Sequence, residues 1–197
     1  ASATNTVCTG EILQTRQPAD FSFTRADYFK VLEMKTAELF ALSCDLGAYL
    51  SRASQAQRQH LRQFGLAFGT AYQVFDDCVD LFGSEAVAGK SLGTDLAKGK
   101  LTLPLLLAWE RASAKDRIQL RRLVEQWQPA SMDSLADLLA RYKTLAGSLE
   151  VMGEYLSASR AAVLKLPPSA GRDGLLGLTD YLARQTESLG TATADSP

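Results

Sequence analysis

Hydrophobic residues recur at three- and four-residue intervals along nearly the whole chain, and no segment alternates with the two-residue period of a half-buried strand. Val7 to Gln17 reads as a first helix with Glu11 and Gln14 on one side, stopped by Pro18. Thr24 is a fitting N-cap for a long helix from Arg25 to about Ser51, whose apolar run is interrupted at Lys35-Thr36. A second long helix spans Gln55 to Gly83, and a Gly-punctuated loop follows to Lys100. Thr102 caps the next helix, with Pro104 in its first turn. Further helices fall at 115–127, 132–165 and 173–189, separated by Gln128-Pro129 and by Leu166 to Gly171. The expected fold class is all-α, a packed bundle forming one domain over 1–190, with 191–197 a disordered tail.

The helix of Gln55 to Gly83 carries the strongest chemical signal. At about 100° per residue, Leu61, Phe64, Phe68, Ala71, Phe75, Val79 and Phe82 share one stripe, while Gln73, Asp76, Asp77 and Asp80 gather opposite. No charged residue occurs from Gln63 to Phe75, which predicts burial nearly all round for that part of the helix. The aspartates then close the helix at its negative dipole end, where carboxylates are disfavoured. Helix stability does not account for them; a divalent cation does. Three hard oxygen donors within about one turn suit Mg²⁺, which keeps water and phosphate oxygens in the rest of its shell. In the loop that follows, Lys90 and Lys100 offer charge to a phosphate, and Gly89, Gly93 and Gly99 allow close backbone approach. The bland alternatives are a solvated acidic patch and a flexible lysine turn.

Composition narrows the classes. A chain of 197 residues with a formal net charge of −1 and a pI near 5.9 gives no reason to expect nucleic acid as a partner. Cys8, Cys44 and Cys78 are odd in number and widely spaced, which matches neither a disulfide framework nor a zinc site and points to a reducing cytoplasm. No apolar run approaches the roughly 18–20 residues of a transmembrane helix. Gly89-Lys90-Ser91 is no P-loop, because Ser84 stands where the first glycine belongs and a helix precedes it. The single histidine, His60, sits in a charged helix start and reads as a surface residue. What remains is Mg²⁺-assisted handling of a diphosphate beside an apolar helical cavity.

The run Gln73-x-x-Asp76-Asp77-x-x-Asp80, then Gly89-Lys90-x-x-Gly93-x-Asp95, then Gly99-Lys100-x-Thr102-x-Pro104 resembles the second aspartate-rich region of the trans-isoprenyl diphosphate synthases, or polyprenyl synthetases. Gly10-Glu11-x-x-Gln14 and Lys35-Thr36-Ala37-x-Leu39-Phe40 fit the same pattern, and weaker similarity continues to Tyr181 and Arg184. The resemblance implies a helical bundle of the isoprenoid synthase type and Mg²⁺ bound by Asp76, Asp77 and Asp80. It implies that Lys35, Lys90 and Lys100 contact an allylic diphosphate, with Gln73 and the Thr36 carbonyl facing the allylic carbocation. Isopentenyl diphosphate would attack that cation, giving a longer trans-polyprenyl diphosphate in a cytoplasmic homodimer.

One feature departs from the family pattern: the pair Asp-Asp occurs once, at Asp76-Asp77, so the family's first aspartate-rich motif and the arginines after it are missing. The chain begins with Ala1 and matches from near the middle of the family's usual length, as if the N-terminal helices were absent. These residues alone are therefore expected to be inactive or nearly so unless a partner chain supplies the missing helices. A non-catalytic subunit or paralogue that associates with a catalytic prenyltransferase is the alternative, although it predicts loss of the metal ligands. A class I terpene cyclase fits less well, wanting Ser or Thr at Asp80 and an acid at Ser84.

Overall fold

A computed structural model describes residues 2–15, 18–85, 89 and 91–189 of the chain. Every regular element within them is helical: α1 (Ser2–Thr15), α2 (Arg25–Leu32), a wider turn over Glu33–Ala37, α3 (Glu38–Leu50), α4 (Gln55–Phe82), the short α5 (Thr94–Ala97), α6 (Leu103–Arg111), α7 (Ala114–Glu125), α8 (Met132–Arg141), α9 (Thr144–Leu164) and α10 (Ala170–Gln185). Short 3₁₀ turns precede α8 and follow α10. The predicted tail lies outside the described residues. Among the described residues no helix is long and apolar enough to cross a membrane, and all three cysteines are free.

Local sequence explains the main starts. Thr24 and Asp27 form a reciprocal capping box at α2: Asp27 N–H donates to Thr24 Oγ1 at 3.2 Å, and Thr24 N–H to Asp27 Oδ2 at 3.0 Å. Ser54 and Gln57 do the same at α4. The expected Arg25-to-Ser51 helix is continuous in direction, but at Lys35-Thr36 it widens into a π turn in which Glu38 N–H reaches the Glu33 carbonyl. Thr102 stands at the N-cap of α6 yet its side chain caps nothing, since Pro104 removes one of the N–H groups a cap would use. Its Oγ1 is buried without a partner.

Helix α4 is the axis of the bundle, packed between α3 and α9. The α3–α4 crossing is close because glycine and alanine face each other: a Cβ on Gly65 would stand 2.6 Å from Ala41 Cα, and one on Gly69 2.9 Å from Ala37 Cα. The predicted apolar stripe is correct upstream, where Phe64, Phe68 and Ala71 are buried. Further along, full burial shifts to Val74, Cys78 and Leu81, and Asp77 and Asp80 are buried with them, because neighbouring elements cover both sides of α4. His60 is half-buried, with Nδ1 shielded and unpartnered, rather than a surface residue.

The single helix predicted over 132–165 is two. Lys143 adopts a left-handed φ of 51°, and the carbonyls of Tyr142 and Lys143 accept from Arg111 Nη1 at 2.9 and 3.1 Å. Gly147 is needed there, since a Cβ would lie 2.5 Å from the Arg111 guanidinium. A cation supplied by α6 thus binds the carbonyls of the turn between α8 and α9.

Candidate functional site

The close α3–α4 crossing brings the π turn against the C-terminal half of α4. Gly10 lets α1 settle on the same turn, because a Cβ there would be 3.1 Å from Lys35 N. Where these meet the return of the loop, a cavity of about 240 Å³ opens. Gln14 of α1, Tyr28 of α2, Lys35 and Thr36 of the π turn, Gln73, Asp76 and Asp77 of α4, Asp95 of α5, and Lys100 and Thr102 at the entry to α6 all line it. Phe23, Val31 and Leu32 supply apolar wall. A second cavity of about 360 Å³ adjoins it, sharing Gln14, Phe23, Val31 and Lys100.

The lysines are held, not loose. Lys35 Nζ donates to Gln14 Oε1 at 2.8 Å and pairs with Glu11 Oε2 at 2.5 Å, which draws the Glu11 carboxyl below its ordinary value. Lys100 Nζ lies 2.6 Å from Asp95 Oδ1. Lys90 lies outside the described residues.

The three aspartates of α4 face three different surroundings. Asp76 lines the cavity. Asp77 is 4% exposed and its oxygens take two protein donors: the Tyr28 hydroxyl to Oδ2 at 2.6 Å and Gln73 Nε2 to Oδ1 at 2.9 Å. Burial raises its pKa to about 7 even though both hydrogen bonds favour the ionised form. Gln73 is oriented by the same chain of contacts, since its Oε1 accepts from Thr36 Oγ1 at 3.0 Å. Asp80 turns to the loop and accepts from Thr94 N–H, Thr94 Oγ1 and Asp95 N–H at 3.1–3.2 Å, anchoring the start of α5. Among the described residues no group of three or more His, Cys, Asp or Glu side chains is already gathered to hold a metal ion.

Gly93 and Gly99 have φ of 69° and 66° and serve the loop's path. A Cβ on Gly99 would meet Pro18, and the Gly99 carbonyl accepts from Ala19 N–H at 2.7 Å. Sequence reasoning placed Lys35, Thr36, Gln73, Asp76, Asp77 and Lys100 at what is one cavity. Asp95 and Gln14 stand in the sequence motifs without an assigned role, and the sequence does not single out Tyr28. A tyrosine four residues after a helix cap, facing a buried carboxylate on another helix, leaves no local signal.

Fold and cavity together define an all-helical protein with a mixed carboxylate and ammonium pocket at the end of its central helix. Comparison with known proteins narrows that class. The chain belongs to the polyprenyl synthetase family, whose pattern matches residues 1–141. It is similar to the octaprenyl diphosphate synthase of Haemophilus influenzae, 32% identical over 184 residues that make up 93% of this chain and 56% of that protein. It is also similar to the heptaprenyl diphosphate synthase component 2 of Bacillus subtilis, 29% identical over 91% of this chain and 51% of that one. The chain therefore spans about half the length of the curated relatives it matches.

Among solved structures, a polyprenyl synthase from Caulobacter crescentus CB15, complexed with calcium and isoprenyl diphosphate, superposes with a TM-score of 0.87 at 30% identity, over 92% of this chain and 56% of that one. A decaprenyl diphosphate synthase from Rhodobacter capsulatus gives 0.86 at 29% identity, over 94% and 57%. The bundle is thus of the all-α isoprenoid synthase type.

Proposed function

We propose that this chain carries the diphosphate- and metal-binding half of a Mg²⁺-dependent prenyltransferase that joins an allylic diphosphate to isopentenyl diphosphate, giving a longer trans-polyprenyl diphosphate. One observation carries the reading: residues from positions 14 to 102, brought by four α-helices, the π turn and two connecting segments, meet at one cavity that offers both carboxylates and ammonium groups. A diphosphate with its cation is the ligand that needs both.

The residues fit Mg²⁺ in a restricted way. Asp76 and Asp95 line the cavity and would offer hard oxygens, Asp95 by sharing or releasing Lys100, while Asp77 and Asp80 already accept from protein donors through both of their oxygens. Few protein ligands, with phosphate and water completing the shell, is the pattern Mg²⁺ favours. Bound there, the cation would neutralise charge on the departing diphosphate. Lys35, Lys90 and Lys100 would pair with diphosphate oxygens. Gln73, fixed between Thr36 and Asp77, would hold its amide dipole beside the allylic carbon as positive charge develops. Phe23, Val31 and Leu32 would keep water from that carbon.

A cytoplasmic homodimer, or a complex with a chain supplying further helices, belongs to the same reading. The second form is supported by the Bacillus subtilis relative, itself named as one component of its enzyme. The test is product formation from an allylic diphosphate and labelled isopentenyl diphosphate with Mg²⁺. The 197 residues alone are expected to yield little or no elongated product, because only one aspartate-rich motif is present. Efficient Mg²⁺-dependent elongation by the purified chain would refute the need for a partner while confirming the chemistry.

A further inference from the structure

Lys100 has an acidic partner within the cavity wall. Its Nζ is 2.6 Å from Asp95 Oδ1, and the two side chains are 23% and 15% exposed. The loop builds this pair deliberately at the backbone level. Lys100 N–H returns to the Asp95 carbonyl at 2.9 Å, and Asp95 N–H donates to Asp80 Oδ2 at 3.1 Å. Gly99, at a φ of 66°, makes the bend that brings Lys100 back. The pair is therefore pinned at both ends, unlike an encounter between two long surface side chains, and both members line the cavity with Asp76 and Gln73.

We propose that Asp95 is a positioning residue for Lys100: it holds the ammonium in the cavity wall while the site is empty and yields it to an incoming diphosphate. The proposal rests on the diphosphate reading above. A partly shielded ammonium without a counter-charge is costly, and the lysine stem is flexible, so a short carboxylate on a fixed backbone both neutralises and aims it. The same carboxylate competes with the ligand. A divalent cation drawn to Asp76 and Asp95 gives Asp95 another partner and removes the competition. Cation and diphosphate binding are then coupled through one side chain, each favouring the other.

The experiment is calorimetric titration of the full 197-residue chain with inorganic pyrophosphate, in chelator and in Mg²⁺, using Asp95→Asn, Lys100→Met and the double variant. Asp95→Asn is isosteric and keeps the backbone bonds that shape the loop. In chelator it is expected to bind pyrophosphate about three- to tenfold more tightly than the unsubstituted chain, the weight of a shielded ion pair. In the Lys100→Met background the same substitution is expected to change affinity by less than about twofold, as the partner is gone. With Mg²⁺ saturating, the advantage of Asp95→Asn should vanish. An equal gain with and without Lys100 would reduce Asp95 to a general negative charge and overturn the proposal, as would unchanged or weaker binding by Asp95→Asn in chelator. If no form binds pyrophosphate under either condition, the diphosphate reading itself falls and takes this proposal with it.

Discussion

Asp77 is buried, tied to Tyr28 and Gln73, and burial lifts its pKa to about 7 from an ordinary 3.8. A folded value above the unfolded one means that, between about pH 4 and 7, the folded chain holds a proton the unfolded chain has released. Stability from this group is therefore full below that window, is lost as pH rises through it and levels off above about 7. Thermal melts of the unsubstituted chain, without metal, should fall in midpoint from pH 5 to pH 8, and Asp77→Asn should flatten that trend. Equal slopes in the two proteins would show that another group sets it. At this scale the sequence was partly readable. The spacing of Asp76, Asp77 and Asp80 singles out the right turn of helix. A wheel cannot say that one faces a cavity, one a tyrosine from α2 and one the N–H groups of Thr94 and Asp95, because those partners are set by how other segments return.

The α3–α4 crossing decides whether the π turn meets Gln73 at all. Gly65 and Gly69 are packed against Ala41 and Ala37 at distances that leave no room for a methyl group, and the obstructing atoms at Gly65 are backbone. Gly65→Ala should cost about 1–3 kcal/mol by overpacking, read as a lowered midpoint in denaturant, and should weaken ligand binding by displacing Lys35 and Thr36. Unchanged stability would mean the helices can separate without cost. Helix existence is legible from local residues, and so is the cap at Thr24, whereas Thr102 stands at an N-cap without capping. The π turn left a trace, since Lys35-Thr36 broke the apolar run. The break between α8 and α9 left none: it depends on Arg111, more than thirty residues away in the chain, reaching the carbonyls of Tyr142 and Lys143. Tertiary capping of that kind overrides local propensity.

For the molecule as a whole, the helical class followed from periodicity, and the motif order anticipated a single site. Three-dimensional closure adds Asp95, Gln14 and Tyr28 and pairs Lys35 and Lys100 with acidic partners. On the proposed function, this cavity takes an allylic diphosphate together with a divalent cation. Calorimetric titration of the chain with an allylic diphosphate, in Mg²⁺ and in chelator, tests it most directly. Binding should strengthen at least about tenfold in Mg²⁺, with that enhancement lost in Asp76→Asn and overall affinity reduced in Lys35→Met. Binding indifferent to Mg²⁺ and to both substitutions, or no binding at all, would contradict it.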